Sequence, residues 1–198
     1  MNKAERIKRL TKGLMLLILA QAGYTLAVIV YQEQIQLLCA MLSLVGGIWG
    51  LAVLSPLAAD YKRALVMCLI VQIALGLLSL PMDRFVIGYL VVRVGMYVGT
   101  YLQAWLVCGA TAQEMQYLNR TDLETQGRMI PKLYVLELAG RILNLLSILL
   151  PDRVRDSCGL LLSLLVIAIL AVGNLMYLIY LWKCRQAALP AGKEPPHL

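Results

Sequence analysis

Tyr134, Glu137, Arg141 and Asn144 recur at three- and four-residue intervals inside an apolar run from Leu133 to Leu150. That spacing stacks them on one face of a helix. A charge inside a bilayer costs roughly 2.5 to 3.5 kcal/mol on insertion scales, so such residues normally face a protein interior or a wet cavity. Glu137 and Arg141 also stand in the acid-first order, four apart, that favours an ion pair within one helix. The stripe is therefore a candidate site for recognising a polar ligand.

Catalytic chemistry has little to work with. His197 is the one histidine in the chain and lies in the C-terminal tail, which removes histidine-based nucleophile activation and histidine metal ligation. No lysine sits deep in an apolar run to activate a serine, and no GxSxG, HExxH or Walker A pattern occurs. Glu137 has no second interior carboxylate for paired acid and base work. The expectation is a non-enzyme with no catalytic residues, no metal site and no cofactor. Cys39, Cys68, Cys108, Cys158 and Cys184 form no CxxC pair and read as small apolar residues, a Cys39–Cys158 disulfide near the outer ends being the alternative.

The stripe must be held by membrane-spanning helices, because 61% of the 198 residues are apolar and only 15% charged. Six runs are long enough to cross a hydrocarbon core of about 30 Å: 13–31, 37–59, 64–80, 86–110, 133–150 and 159–182. They predict an all-α, polytopic membrane protein: a basic segment 1–12, a six-helix domain 13–182 and a tail 183–198 whose Pro-rich end reads as disordered. Gly13 to Leu19 followed by Ala20-Gln21-Ala22 resembles a signal peptide. The apolar run continues through Tyr31, however, and predicts a retained first helix.

The net charge of +7 is distributed by side. With a cytoplasmic N-terminus and six spans, thirteen cations fall inside: Lys3, Arg6, Lys8, Arg9, Lys12, Lys62, Arg63, Arg120, Arg128, Lys132, Lys183, Arg185 and Lys193. Arg84, Arg153 and Arg155 fall outside, and Arg93 and Arg141 within spans. This is the positive-inside bias, and it predicts both termini in the cytoplasm of a bacterial cell. It also accounts for the charge without nucleic acid, for which no basic segment interleaved with aromatics is present.

Counting inward at 1.5 Å per residue puts Glu137 about 9 Å and Arg141 about 15 Å from the cytoplasmic boundary, with Gln21 and Gln72 at about 12 Å. Gln103 and Asn174 fall in the same half of the membrane, so five of the six predicted helices offer a polar group to one layer. Arg93 lies about 12 Å from the outer boundary, flanked by Tyr89 and Tyr97, with Tyr101 and Trp105 continuing the four-residue interval. Two interior arginines facing one interior glutamate predict an anionic or other polar ligand, a lipid group or a partner carboxylate. The structural alternative is that these groups only lock helices together.

Gly46 and Gly50 in the second run, and Gly95 and Gly99 in the fourth, have GxxxG spacing and predict close helix packing, within the chain or in a homo-oligomer. The one substantial connection, 111–132, is expected on the cytoplasmic side as a contact point for a membrane protein partner. Within it Thr121 and Glu124 read as a capping box, Gly127 as a helix end and Pro131 as the first residue of the next helix. Leu118, Leu123, Met129 and Ile130 are expected at the membrane surface. No internal repeat supports an inverted-repeat transporter.

The stretch GLLSLPMDRFVIGYLVV and the linker after the fourth run resemble uncharacterised six-helix integral membrane proteins of Gram-positive bacteria. The resemblance implies the fold and brings no activity. Two functions follow from the residues: a bilayer-embedded component that binds or conducts a small polar solute, ion or lipid group, or a structural or regulatory subunit that meets a partner through 111–132.

Overall fold

A computed structural model describes residues 2–29, 32–75, 86–146 and 152–191 of the chain, with side chains described over 2–27, 32–73, 87–146 and 164–189. Among them there are six helices: α1 (Lys3–Ile29), α2 (Glu33–Leu54), α3 (Ala59–Leu69, continued by a π-helical stretch Ile70–Leu75), α4 (Val86–Tyr117), α5 (Thr121–Leu146) and α6 (Asp152–Ala191). Four of these, α1, α2, α4 and α6, are long and apolar enough to cross a membrane. The far parts of the third and fifth apolar runs (76–80 and 147–150), the tail from 192 and the side chain of Cys158 lie outside the described residues. Cys39 is a free thiol.

Each helix packs on its neighbours in the chain, and α6 returns to α1, so the helices close a ring in sequence order. Apolar residues at helical spacing drive the closure. Ile7, Leu10, Leu14 and Leu17 bury one stripe of α1, and Tyr177, Leu181, Cys184 and Ala188 one stripe of α6. Gly46 and Gly50 let α2 lie close to α1: a Cβ on Gly50 would meet Leu17 Cδ2 at 3.0 Å, and one on Gly46 would meet Ala20 Cβ at 3.4 Å. Gly99 receives Val71 of the π-helical stretch in the same way, and Gly95 is half-buried.

Among the described residues, a cluster of the most deeply buried side chains lies at the end of the bundle where α1 begins. Leu10, Leu54, Tyr61, Met115, Leu123, Tyr180 and Cys184, from all six helices, share one core there. At 1.5 Å per residue the 27-residue α1, 32-residue α4 and 40-residue α6 run about 40, 48 and 60 Å. Each is longer than the roughly 30 Å of a hydrocarbon core.

The 111–132 connection departs from expectation because most of it extends the two flanking helices. α4 continues to Tyr117, α5 starts at Thr121, and only a short turn separates them. The turn is a Schellman motif: Arg120 N–H donates to Met115 C=O (2.9 Å) and Asn119 N–H to Gln116 C=O (3.0 Å), with Asn119 at φ 57°. The amides of Leu123 and Glu124 then donate to Arg120 C=O, so Arg120 opens α5, and Glu124 pairs with Arg128 rather than closing a capping box. Gly127 does not end a helix and Pro131 does not begin one. Both are buried inside α5. Gly127 is required by Tyr180, whose ring carbon Cζ would lie 2.8 Å from an added Cβ. Leu123 and Ile130 enter the core instead of resting on the membrane, while Met129 is exposed. Likewise 183–191, part of the expected tail, is the helical end of α6, with Cys184 and Ala188 fully buried.

Candidate functional site

The spacing in α5 does what it predicts. Arg141 donates from Nε (3.1 Å) and Nη2 (2.8 Å) to Glu137 Oε1, and the same Nη2 donates to the Tyr24 hydroxyl of α1 at 3.2 Å. The guanidinium lies over the Tyr97 ring of α4, 5.4 Å from its centre. Glu137 is only 6% exposed. Its second oxygen, Oε2, is buried with no hydrogen-bond partner among the described residues. Gly173 of α6 makes room for that oxygen, which would stand 2.8 Å from a Cβ there. Four helices thus converge on one ion pair in the ring.

Beside the pair a cleft of about 20 Å³ runs between α4 and α5, lined by Tyr97, Thr100, Tyr101, Tyr134, Glu137 and Arg141. A water needs roughly 10 to 15 Å³ on this measure, so the cleft holds about one water-sized group. Gln21 donates to Asn174 at 2.6 Å, joining α1 to α6. Tyr134 packs edge-on against Tyr177 at 5.8 Å.

The other expected members of the layer divide. Asn144 is half-buried one turn beyond Arg141, and Gln103 is half-buried in α4. Gln72 is exposed, because its neighbour Val71 is the residue that turns inward against Gly99. Arg93 does not join the Glu137 pair. It lies over the Tyr89 ring at 5.1 Å, with Nε buried and lacking a partner among the described residues.

A second polar centre was not read from the sequence. Near the start of α1 Arg6 donates from Nε (2.8 Å) and Nη2 (2.7 Å) to the two oxygens of Glu114, which is 2% exposed, and its guanidinium lies over the Tyr117 ring at 4.4 Å. Nearby, Tyr61 and Thr111 share a hydrogen bond of 2.8 Å, and the Thr111 hydroxyl reaches Val107 C=O at 2.7 Å. Burial pushes the Tyr61 phenol well above the ordinary tyrosine range. At the exposed turn Arg120 holds the Asp122 carboxyl below its usual value through hydrogen bonds of 3.3 and 3.4 Å.

No group of three or more metal-ligating side chains occurs among the described residues. Compared with protein-family models, with curated proteins and with solved structures, the chain matches none.

Proposed function

We propose that the chain is a non-enzymatic, six-span protein of a bacterial cytoplasmic membrane, both termini cytoplasmic, which binds a small polar solute or ion at Glu137 inside the ring. The single observation behind this reading is the Glu137 carboxylate: buried, held by Arg141 through one oxygen, and left with a second oxygen that has no partner among the described residues. An unmatched acceptor in such a place costs free energy, and a ligand carrying a donor would recover it.

Arg141 gives Nε and Nη2 to Glu137 and Tyr24, and the buried atom of the pair left without a partner among the described residues is the acceptor Glu137 Oε2, so the proposed ligand is one that brings a donor. The near-cancelling charges of the pair favour small, neutral or singly charged species. The cleft beside the pair has room for about one water, and because Oε2 is itself buried against Gly173 of α6, a ligand that reaches it requires the helices to part at this level. The topology is supported by the clustering of α1's start and α6's end in one core, on the same side as most of the cations. The partner-binding alternative is weaker, because Thr111, Glu114, Met115, Leu123 and Ile130 of the 111–132 segment are committed to internal packing.

The test is stabilisation of the purified protein in detergent by ammonium, formamide or chloride as probes. A donor probe at about a hundred times its Kd should stabilise by ~2.7 kcal/mol. Glu137→Gln should abolish the effect, and Gly173→Ala, which crowds Oε2 without changing charge, should weaken it. Stabilisation that survives Glu137→Gln, or comes from chloride alone, would refute the assignment.

A further inference from the structure

The exposed surface of the bundle changes character at one level. On α5, Leu133 and Leu136 are exposed apolar residues, and toward the helix start the exposed side chains turn charged and polar at Lys132, Arg128, Gln126 and Thr125, with Met129 among them. On α6 the exposed run Leu175, Met176, Ile179 and Trp182 gives way to Lys183 and Gln186. A change from apolar to charged surface along neighbouring helices marks the depth of the lipid headgroups, where tryptophan and basic side chains concentrate.

A groove of about 470 Å³ opens at that depth, lined by Arg120, Asp122, Gln126, Trp182, Lys183 and Gln186, with Leu123 and Ala187 at its floor. Its charge is not balanced. Arg120 and Lys183 face a single carboxylate, Asp122, whose two contacts to Arg120 are long at 3.3 and 3.4 Å. Behind the wall Arg185 lies over the Trp182 ring at 5.7 Å, with its Nε buried and without a partner among the described residues. The groove combines an aromatic wall, an excess of positive charge and an opening level with the membrane surface.

We infer that this groove binds the phosphate headgroup of an anionic phospholipid from the leaflet at the basic end of the bundle, with Arg120 and Lys183 as its ligands. This rests on the membrane placement proposed above and is independent of the Glu137 site. Asp122 competes with the phosphate for Arg120, so the lipid exchanges one weak ion pair for a stronger, charge-assisted contact. The acyl chains then lie along the exposed apolar surface formed by Met129, Leu133 and Ile179.

The experiment is native mass spectrometry of the full-length protein released from nanodiscs of phosphatidylglycerol mixed with phosphatidylcholine. Phosphatidylglycerol should be retained over phosphatidylcholine. A cation at an anionic membrane surface contributes about fivefold, so Arg120→Gln and Lys183→Gln should each weaken retention by about that factor. Asp122→Asn should strengthen it, an opposite sign that misfolding would not produce. Equal retention of both lipids, indifference to all three substitutions, or displacement by millimolar inorganic phosphate as readily as by lipid would overturn the proposal. Glu137→Gln should leave the preference intact, which separates failure here from failure of the interior site.

Discussion

Arg6 and Glu114 form a pair whose two halves are unequally buried, and removing either half should have different consequences. Arg6→Gln strands Glu114, whose side chain is 2% exposed, whereas Glu114→Gln leaves Arg6, whose side chain is 31% exposed and can turn toward water. Leaving a buried charge without its partner costs about 3 to 5 kcal/mol. Losing two charge-assisted hydrogen bonds from a group that rehydrates costs about 1.5 to 3 kcal/mol. Arg6→Gln should therefore be the more damaging by about 2 kcal/mol. The double variant should lie closer to Glu114→Gln, because no charge is stranded in it. Unfolding free energies from sodium dodecyl sulfate titration in mixed micelles would measure the three variants against wild type. Equal costs for the two single variants, or a cost below about 1 kcal/mol for Arg6→Gln, would refute the claim that Glu114 depends on Arg6.

Gly127→Ala should destabilise by about 1 to 3 kcal/mol through overpacking against Tyr180, read in the same titration, and Tyr180→Phe should relieve part of the loss by removing the hydroxyl that the new methyl meets first. If Gly127→Ala is neutral, the α5–α6 contact is looser than described. Single cysteines introduced at Thr125 and near Lys62 should react with membrane-impermeant maleimide only in inverted vesicles, and cysteines near Glu33 only in intact cells. Labelling of position 125 from outside would reverse the topology.

Glu137 and Arg141 were legible in the sequence because one turn of one helix fixes their meeting. The short range of that relation is also why most other contacts were hidden. Arg6 and Glu114 are 108 positions apart, and nothing in either neighbourhood announces the other. Tyr24 and Gly173 complete the Glu137 site from α1 and α6, and neither carries a local signal of that role. The counting of depths put Gln21 and Asn174, which hydrogen-bond to each other, in one layer but said nothing of facing, and Gln72 of the same expected layer is exposed. At 111–132 the local signals were sound and were overruled. Gly127 and Pro131 are ordinary helix punctuation, yet the Tyr180 contact demands a glycine within α5, and the flanking stripe of Leu123, Ile130 and Tyr134 holds the helix together. Asn119 was the better marker of the break, as one of the few residue types besides glycine that tolerates positive φ.

Infrared difference spectroscopy reads the Glu137 carboxylate itself. Addition of ammonium or formamide to wild-type protein should shift a carboxylate stretching band, and the difference signal should vanish in Glu137→Gln while persisting in Glu114→Gln. A spectrum unchanged at saturating donor probe, or a signal retained without Glu137, would contradict a ligand site at this residue and leave the Glu137–Arg141 pair as a helix clamp.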